Sequence, residues 1–340
     1  MARTNNIGLT KNDYKGAPTT LCQGCGHNSI LSQVIAACYE MDMVPEDIVK
    51  FSGIGCSSKA PTYMLKRSFG FNGLHGRMPA LATGSLLGDH TLTGVAMSGD
   101  GDSASIGMGQ FKHILRRNVP LVYIVANNGV YGLTKGQLSP TSEVGLTLKK
   151  QGTNQFEPID ICLEAMASNA TFVARSFAGD PKQVKTLIKA ALRHNGTAII
   201  DIISPCVSFN NQDSSVHSYA WGKANEFPIH DISFIPARDE IMVEDFEEGT
   251  TQSVTMHDGS KIQLKKLERD YDPTDRISAV QIIEEAKANN MLLTGLIYID
   301  PDRPSLMDIL NLPETPLNRL PVEDLRPAPD TIQAINAAMF

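Results

Sequence analysis

The sequence predicts an α/β fold, in which helices cover both faces of a parallel sheet, followed by a C-terminal extension. Short apolar segments rich in β-branched residues alternate with segments whose apolar residues recur at spacings of three and four. These patterns are typical of buried strands and of helices, respectively. Strands and helices that alternate in this way form a parallel sheet, whose ligands bind at loops leaving the carboxyl ends of the strands.

The predicted elements follow one another from residue 28 to residue 203. The strands are Ile48 to Ser52, Thr93 to Met97, Leu121 to Ala126, Thr171 to Ala174 and Ala198 to Ile203. The helices are Asn28 to Glu40, Ala80 to Leu87, Ser103 to Arg116, Ile159 to Ala167 and Pro181 to His194. Stop signals at Asn118-Val119-Pro120 and at Gly196 separate helices from the strands that follow them.

The pattern changes after about residue 206. Residues 208–225 are polar, residues 226–263 suggest short strands, and residues 301–329 are rich in proline. A clear helical pattern covers Ile277 to Asn289. We therefore divide the chain into a ligand-binding domain over residues 1–225 and an extension over residues 226–340, which packs on the core or on a partner.

Composition restricts the classes of function. The 340 residues are 42% apolar, as in ordinary globular proteins, and the apolar runs are far shorter than the roughly 20 residues of a membrane span. The net charge of −7, with scattered basic residues, argues against a nucleic-acid surface. Because residues 1–14 show no signal or import pattern, we expect a cytoplasmic protein whose six cysteines do not form structural disulfides.

A glycine-rich turn, Gly99-Asp100-Gly101-Asp102, lies between a predicted strand and a predicted helix. Glycines let the backbone approach an anion, and the N–H groups of a helix start can donate to a phosphate. The residues also fit the dinucleotide pattern Gly-x-Gly-x-x-Gly/Ala, so NAD binding is an alternative. Two carboxylates beside a phosphate would repel it unless a divalent cation lay between them, which favours a cation-dependent site.

A second polar group, Asn127-Asn128-Gly129, follows the next strand. A dinucleotide-binding fold would place an acidic ribose ligand in this region, whereas amide oxygens suit Mg²⁺. A helix and a strand separate Asp100 from Asn128, so both side chains are expected at neighbouring carboxyl ends, where one cation can bridge them. The alternative is a phosphate-free turn followed by an ordinary Asn-Gly loop.

The two motifs together resemble the thiamine diphosphate family, whose signature is Gly-Asp-Gly followed by Asn-Asn. This resemblance implies that Asp100 and Asn128 are magnesium ligands and that the backbone carbonyl of Val130 is a third. Two diphosphate oxygens and a water molecule would complete an octahedron.

Four cysteines lie near the same predicted edge of the sheet, namely Cys22, Cys25, Cys56 and Cys206. Four convergent thiolates suit either zinc or a 4Fe-4S cluster, and the Cys-x-x-Cys pair alone would also suit a thiol redox centre. Cys38 and Cys162 lie in helical patterns and are expected to be small buried residues. The adjoining thiamine site favours the cluster, because decarboxylation of a 2-oxo acid leaves an electron-rich enamine that needs an oxidant, and zinc accepts no electrons.

The complete set of motifs resembles the β subunit of 2-oxoacid:ferredoxin oxidoreductases. The resemblance rests on Cys22-Gln23-Gly24-Cys25-Gly26-His27, Gly53-Ile54-Gly55-Cys56-Ser57, Leu74-His75-Gly76-Arg77 and the segment Asn127 to Gln137. It extends into the C-terminal region at Leu293 to Tyr298 and at Pro301 to Ser305.

The resemblance implies roles for individual residues. Cys22, Cys25, Cys56 and Cys206 would ligate one 4Fe-4S cluster. The cofactor-binding set comprises Gly26, His27, Gly55, Ser57, Gly99, Asp100, Gly101, Asp102, Asn128, Val130, Gly132 and Leu133. His75, Arg77 and Lys135 are catalytic candidates that would contact the diphosphate or the substrate carboxylate; the alternatives are a structural role for His75 and Arg77 and a solvated side chain for Lys135.

The implied reaction is the oxidative decarboxylation of a 2-oxo acid with coenzyme A to acyl-CoA, CO₂ and reduced ferredoxin. The pyrimidine-binding half of the cofactor site would come from an obligate α subunit, in an αβ pair or an α2β2 assembly. A separate ferredoxin would accept the electrons, since the sequence shows no additional Cys-x-x-Cys-x-x-Cys run. We favour 2-oxoglutarate as substrate; the alternatives are a pyruvate-specific member of the family and a zinc-stabilised protein that binds without catalysis.

Overall fold

The computed structural model describes residues 3–149, 151–230, 251–255, 261–265 and 271–339. The strands are β1 (Ile48–Ser52), β2 (Phe69–Asn72), β3 (Thr93–Gly99), β4 (Leu121–Asn127), β5 (Val130–Tyr131), β6 (Gln137–Leu138), β7 (Thr147–Leu148), β8 (Gly152–Thr153), β9 (Phe172–Phe177), β10 (Thr197–Ile203), β11 (Glu226–Pro228), β12 (Thr251–Thr255), β13 (Lys261–Lys265) and β14 (Leu292–Ile299). The helices are α1 (Gly26–Glu40), α2 (Ala60–Tyr63), α3 (Met78–Gly88), α4 (Met108–Arg117), α5 (Ile161–Ala167), α6 (Pro181–Ala191), α7 (Tyr219–Asn225), α8 (Arg276–Ala288), α9 (Leu306–Leu310), α10 (Val322–Leu325) and α11 (Pro329–Met339).

Within the described ranges, the main sheet has eight strands in the order β11-β14-β9-β10-β4-β3-β1-β2. The strands from β9 to β2 pair in parallel. At the other edge, β14 runs antiparallel to β9, and β11 runs parallel to β14. The predicted α/β class is confirmed, and the predicted parallel pairing is confirmed for the strands from β9 to β2, while the antiparallel β14 makes the whole sheet mixed.

The sheet is buried on both faces because helices pack against each of them. Along β4, Leu121, Tyr123 and Val125 belong to one apolar cluster, with residues of α3, α4, α5 and α8. The alternate residues Val122, Ile124 and Ala126 belong to a second cluster, with residues of α1 and α6. Burial on both faces explains why this strand is continuously apolar rather than alternating.

The predicted strands and helices of residues 28–203 are present, with ends that differ by up to three residues except around the glycine turn. There, the helix predicted from Ser103 to Arg116 is interrupted: Asp102–Ile106 forms a π-helical turn, and α4 begins only at Met108. The interruption coincides with a close approach, since a Cβ atom at Gly76 would lie 2.6 Å from the backbone nitrogen of Gly107. Such π-helical turns are frequent at functional sites.

The C-terminal region contributes directly to the main sheet. The predicted helix near residues 277–289 is confirmed as α8, whose buried Ile283 joins the same apolar cluster as Leu293 and Ile297 of β14. The pair β12–β13 agrees with the short strands expected between residues 226 and 263, although residues 231–250 and 256–260 lie outside the described residues. The division of the chain at residue 225 stays a prediction.

In the described part of the chain, no helix combines the length and the apolar character that crossing a bilayer requires.

A buried ion-pair network joins α5 to the sheet. On β9, Arg175 donates from Nε to Asp201 Oδ2 on β10 at 2.9 Å, and from Nη2 to Asp160 Oδ1 at the start of α5 at 2.7 Å. Burial raises the pKa of Asp201, and the guanidinium opposes that shift. Arg175 therefore supplies the positive charge that balances the two buried carboxylates.

Replacing Arg175 with methionine is expected to lower the free energy of unfolding by about 3–5 kcal/mol, because removing one partner leaves buried charges uncompensated. Urea unfolding followed by circular dichroism measures this change. Lys112→Met is the control, since Lys112 pairs with Glu164 while its side chain is 44% exposed, and such pairs contribute about 1 kcal/mol or less. Equal losses of unfolding free energy in both variants would show that the buried network stabilises the fold no more than an exposed ion pair does.

Candidate functional site

Asp100 and Asn128 lie side by side at the carboxyl ends of β3 and β4. Gly99 pairs with Ala126 at the last register position of the two strands, so the residues that follow leave the sheet together. The Asp100 side chain is buried, and the backbone N–H of Asn128 approaches its Oδ1 at 3.4 Å. The expected proximity of these two residues is confirmed.

A cavity opens at this point of the sheet edge. The sequence-predicted residues that line it are His27, Gly55, Ser57, His75, Gly99, Asp100, Gly101, Asp102, Asn128, Val130, Gly132 and Leu133. Cys56 also contributes to its wall. Arg77 and Lys135 are exposed and lie outside the lining, while Gly26 is buried behind His27. The structure thus gathers most, but not all, of the predicted site residues around one space.

Ser57 presents a buried hydroxyl group to this cavity without a hydrogen-bond partner among the described residues. Its Oγ lies 3.2 Å from the position that a Cβ atom at Gly99 would take. An unsatisfied buried polar group costs about 1–3 kcal/mol. A phosphate oxygen beside the glycine turn would satisfy this hydroxyl, so the local chemistry fits a diphosphate.

Asp102 connects the loops around the cavity through hydrogen bonds. Its carboxylate accepts hydrogen bonds from the Ser98 hydroxyl, from His75 Nδ1 and from the backbone N–H of Gly76, the last at 2.7 Å. The backbone N–H of Ile54 approaches it at 3.4 Å. The hydrogen of His75 is consequently held on Nδ1, which leaves Nε2 available to a ligand. The predicted contact between Asp102 and a cofactor stays a prediction.

Tyr131 packs against the glycine turn and was not among the residues singled out from the sequence. A Cβ atom at Gly101 would lie 2.3 Å from the Tyr131 ring, so only glycine permits this packing. The ring also lies edge-on to His75, with 6.4 Å between centroids. Its place in the segment Asn127 to Gln137 was the signal that could have identified it.

The four predicted cluster ligands lie on neighbouring loops, and Cys56 lines the cavity itself. The Sγ atoms of Cys206 and Cys56 lie 3.6 and 3.7 Å from the position of a Cβ atom at Gly132. The pKa of Cys25 is raised to about 11, chiefly by burial and to a smaller extent by the charges of Cys206, Cys56 and Cys22. Cys22 and Cys25 lie against the loop that carries Cys206, since Cys22 Sγ lies 3.5 Å from Ser208 Oγ and the N–H of Gly26 donates to the carbonyl of Pro205. Considering only the described residues, no group of three or more His, Cys, Asp and Glu side chains meets the spacing of a single metal ion.

The two remaining cysteines behave as expected. Cys38 and Cys162 are fully buried, and both belong to the apolar clusters that cover the sheet. Burial raises the pKa of each thiol. Their prediction as small buried residues is confirmed.

A close contact brings Cys25 and Cys206 together. The backbone N–H of Gly26, next to Cys25, donates to the carbonyl of Pro205 at 3.2 Å. A Cβ atom at Gly26 would lie 2.5 Å from Ser204 Oγ, so a larger residue does not fit. The adjacent His27 Nδ1 lies 2.7 Å from Ser204 Oγ, and burial lowers the pKa of His27 to about 4. The neutral ring of His27 thus anchors α1 to the loop that carries Cys206.

Asn210 links the cysteine loop to the loop of Asn128. Its backbone N–H donates to the carbonyl of Cys206 at 2.8 Å. Its side-chain Nδ2 donates to the carbonyl of Asn128 at 3.0 Å. Asn210 therefore holds the loop of Cys206 against the loop of Asn128, and Gly132 lies beside Cys206, Cys56 and Asn128.

Comparison with known proteins agrees with this geometry. A family model described as the C-terminal TPP-binding domain of thiamine pyrophosphate enzymes matches residues 53–202. The chain therefore carries a thiamine diphosphate-binding domain, which favours that interpretation of the glycine turn over NAD binding.

A solved structure extends the likeness to almost the whole chain. The 2-oxoglutarate:ferredoxin oxidoreductase from Magnetococcus marinus, with 2-oxoglutarate, coenzyme A and succinyl-CoA bound, matches with a TM-score of 0.73 and 31% identity. The match covers 92% of each chain.

Curated relatives give the same assignment. The chain is 44% identical over 194 residues to the 2-oxoacid:ferredoxin oxidoreductase subunit beta of Saccharolobus solfataricus, a match covering 56% of this chain and 63% of that one. It thus spans less than two thirds of that relative. It is also 38% identical over 196 residues to the 2-oxoglutarate synthase subunit KorB of Methanocaldococcus jannaschii, covering 56% of this chain and 71% of that one. Such identity over so much of the relatives shows that the chain belongs to the β-subunit family of the 2-oxoacid:ferredoxin oxidoreductases.

Proposed function

We propose that this chain is the β subunit of an enzyme that oxidatively decarboxylates a 2-oxo acid with coenzyme A, yielding acyl-CoA, CO₂ and reduced ferredoxin. The observation that carries the proposal is the contact between two groups of residues. The predicted magnesium ligand Asn128 and the thiols of Cys56 and Cys206 border Gly132 together: Asn128 Nδ2 and the two Sγ atoms lie 4.0, 3.7 and 3.6 Å from the position of a Cβ atom at Gly132. A cofactor that generates electrons would thus adjoin a group that accepts them.

Asp100, Asn128 and the carbonyl of Val130 would hold Mg²⁺ and, through it, the diphosphate. Carboxylate, amide and carbonyl oxygens are suitable ligands for this cation. Ser57 and the backbone around Gly99 and Gly101 would contact the phosphate oxygens. When bound, thiamine diphosphate would stabilise the carbanion left by decarboxylation, while the protein residues orient it and exclude water.

Cys22, Cys25, Cys56 and Cys206 would ligate a 4Fe-4S cluster. A cluster binds thiolates at separate corners and transfers one electron at a time. This fits four thiols on neighbouring loops, one of which, Cys56, lines the cofactor cavity. Iron and acid-labile sulfide after anaerobic purification are the expected result, whereas zinc without iron would favour the alternative of a non-catalytic binding protein.

His75, Arg77 and Lys135 would act on the substrate side of the cavity. His75, oriented by Asp102, would hold or accept a proton at Nε2. Arg77 donates from Nη1 to the carbonyls of Gly76 and Ile106 at 3.3 Å while its side chain remains exposed. Arg77 and Lys135 would therefore meet a substrate carboxylate at the rim of the cavity rather than inside it.

An α subunit would complete the site by supplying the pyrimidine-binding half. Large apolar side chains beside the cavity are exposed, including Leu74 at 79%, Leu133 at 48% and Ile106 at 44%. A partner that covers this rim would bury them. A separate ferredoxin would then receive electrons from the cluster, and a cytoplasmic location stays a prediction.

We favour 2-oxoglutarate as the substrate and keep pyruvate as the alternative. The Methanocaldococcus relative is a 2-oxoglutarate synthase subunit, and the Magnetococcus structure is a 2-oxoglutarate:ferredoxin oxidoreductase with 2-oxoglutarate bound. The Saccharolobus relative is named only for 2-oxo acids, which keeps the choice open to experiment.

The function is tested by purifying the chain anaerobically with its α partner and following coenzyme-A-dependent reduction of ferredoxin. We expect the highest kcat/KM with 2-oxoglutarate, lower values with pyruvate and branched 2-oxo acids, and no activity from the isolated β chain. Activity with pyruvate alone would support the alternative substrate. No activity of the assembled protein with any of these acids would refute the proposed reaction.

A further inference from the structure

Thr141 contacts the proposed magnesium ligand Asp100 from outside the recognised motifs. It lies between β6 and β7, and its side chain is buried. Its Oγ1 lies 2.8 Å from Asp100 Oδ2 and 2.9 Å from Asn127 Oδ1. A hydroxyl has a single hydrogen, so it can donate to only one of these acceptors at a time.

The neighbours of Asn127 decide which acceptor Thr141 serves. The Nδ2 group of Asn127 donates to Asp201 Oδ1 at 3.1 Å, which turns its Oδ1 towards Thr141 and His217. His217 Nε2 lies 3.2 Å from this oxygen and must donate to it, because an amide oxygen only accepts. Asn127 is thereby satisfied, and the hydroxyl hydrogen of Thr141 is available to Asp100.

At each end of this chain of hydrogen bonds, the terminal residue is itself held by a further partner. On one side, His217 Nδ1 lies 3.1 Å from Glu143 Oε2. Burial would raise the pKa of Glu143, but the hydrogen bond and charge of His217 bring it below its ordinary value. On the other side, Asp201 accepts from Arg175. Asn127 and Thr141 therefore have little freedom to turn.

We propose that Thr141 is a positioning residue for Asp100, holding the carboxylate in one orientation before magnesium binds. The inference rests on the proposed role of Asp100 as a magnesium ligand. A residue that hydrogen-bonds to a metal ligand without contacting the metal typically changes the metal affinity by about 10- to 100-fold. Asn127, His217 and Glu143 support Thr141 but do not contact Asp100 through the described hydrogen bonds.

The test is a magnesium titration of the purified αβ protein at a fixed thiamine diphosphate concentration, read out as the increase in Tm. Thr141→Val removes the hydroxyl but keeps the shape of the side chain, and should raise the half-saturating Mg²⁺ concentration by about 10-fold or more. Thr141→Ser restores the hydroxyl and should return this value close to that of the wild type. Thr147→Val is the matched control, because Thr147 is exposed and bonds to the Thr153 hydroxyl at 2.8 Å.

The outcomes separate the two proposals. If the wild type shows no magnesium-dependent binding of thiamine diphosphate, both the site and the inference are overturned. If the wild type binds magnesium and Thr141→Val has the same half-saturation, only the positioning role is refuted. Should Thr141→Val fail to fold, Thr141→Ala carries the same expectation, and a wild-type half-saturation in that variant would refute the inference equally.

Discussion

Replacing Asp100 with asparagine is expected to weaken magnesium-dependent binding of thiamine diphosphate by more than about 100-fold while stabilising the cofactor-free protein. Asp100 and Asp102 are two residues apart and are 2% and 3% exposed. Asp102 is compensated by His75 and by the Gly76 N–H, whereas the ion pairs among the described residues do not include Asp100. Asp100 accepts from the Thr141 hydroxyl and lies 3.4 Å from the Asn128 N–H, but both partners are neutral. Because a buried carboxylate without a countercharge generally costs more than a neutral amide of the same shape, we expect the amide to stabilise the cofactor-free protein.

With magnesium present, the same substitution acts in the opposite direction. Asparagine removes the charged ligand, and we expect the half-saturating Mg²⁺ concentration to rise by more than about 100-fold, since residues merely supporting a ligand contribute about 10- to 100-fold. Thermal unfolding with and without magnesium and thiamine diphosphate measures both effects. The control is Asp213→Asn, which makes the same charge change at an exposed position.

Two results would contradict this prediction. An Asp100→Asn protein that still gains stability from magnesium with wild-type half-saturation would show that Asp100 is not a ligand. A variant that loses stability in both states, with Asp213→Asn unchanged, would show that Asp100 has a structural role instead. If Asp100 is a functional carboxylate, the variant is more stable than the wild type without magnesium and less stable with it. A structural carboxylate would make the variant less stable in both states.

Replacing Gly26 with alanine is expected to prevent assembly of the 4Fe-4S cluster. The added Cβ atom would lie 2.5 Å from Ser204 Oγ and 3.0 Å from the backbone nitrogen of Pro205. The start of α1 would have to move away from this loop, separating Cys25 from Cys206. Overpacking of this kind typically costs about 1–3 kcal/mol, but the larger effect is the loss of iron and sulfide.

Iron and sulfide content and the absorbance of the anaerobically reconstituted protein measure the effect of Gly26→Ala. Gly84→Ala is the matched control, since Gly84 lies in α3 with no atom within 4 Å of the added Cβ. That variant should retain the cluster and gain about 0.5–1 kcal/mol of stability from the higher helix propensity of alanine. A full complement of iron in Gly26→Ala would mean that the spacing of Cys25 and Cys206 does not depend on this contact.

The fold followed closely from local patterns in the sequence. The apolar run of β4, and that of β10 on both sides of Asp201, identified buried strands, because a strand covered on both faces needs no polar alternation. The regular recurrence of apolar residues likewise identified α1 and α6. The strand β2 was not predicted, since Phe69-Gly70-Phe71-Asn72 is short, largely exposed and defined by its pairing with β1.

The helix after the glycine turn illustrates where local patterns are insufficient. Apolar spacing predicted one continuous helix, but the π-helical turn at Asp102–Ile106 accompanies tight packing of Gly76 on Gly107. That contact joins segments distant in sequence. Periodicity within one segment carries no information about such a contact.

The sequence by itself determined the class of fold, the thiamine motif and which four cysteines are candidate cluster ligands. These features depend on residue type and on spacing along the chain. The tertiary structure decided the arrangement around that motif. In the tertiary structure, Asp102 accepts hydrogen bonds from His75 and from the Gly76 N–H. The Thr141 hydroxyl lies within hydrogen-bond distance of Asp100. Gly26 also packs against Ser204 and Pro205. Hydrogen bonds and close contacts of this kind join residues far apart in the chain, so they become defined only when the loops at the carboxyl edge of the sheet fold together.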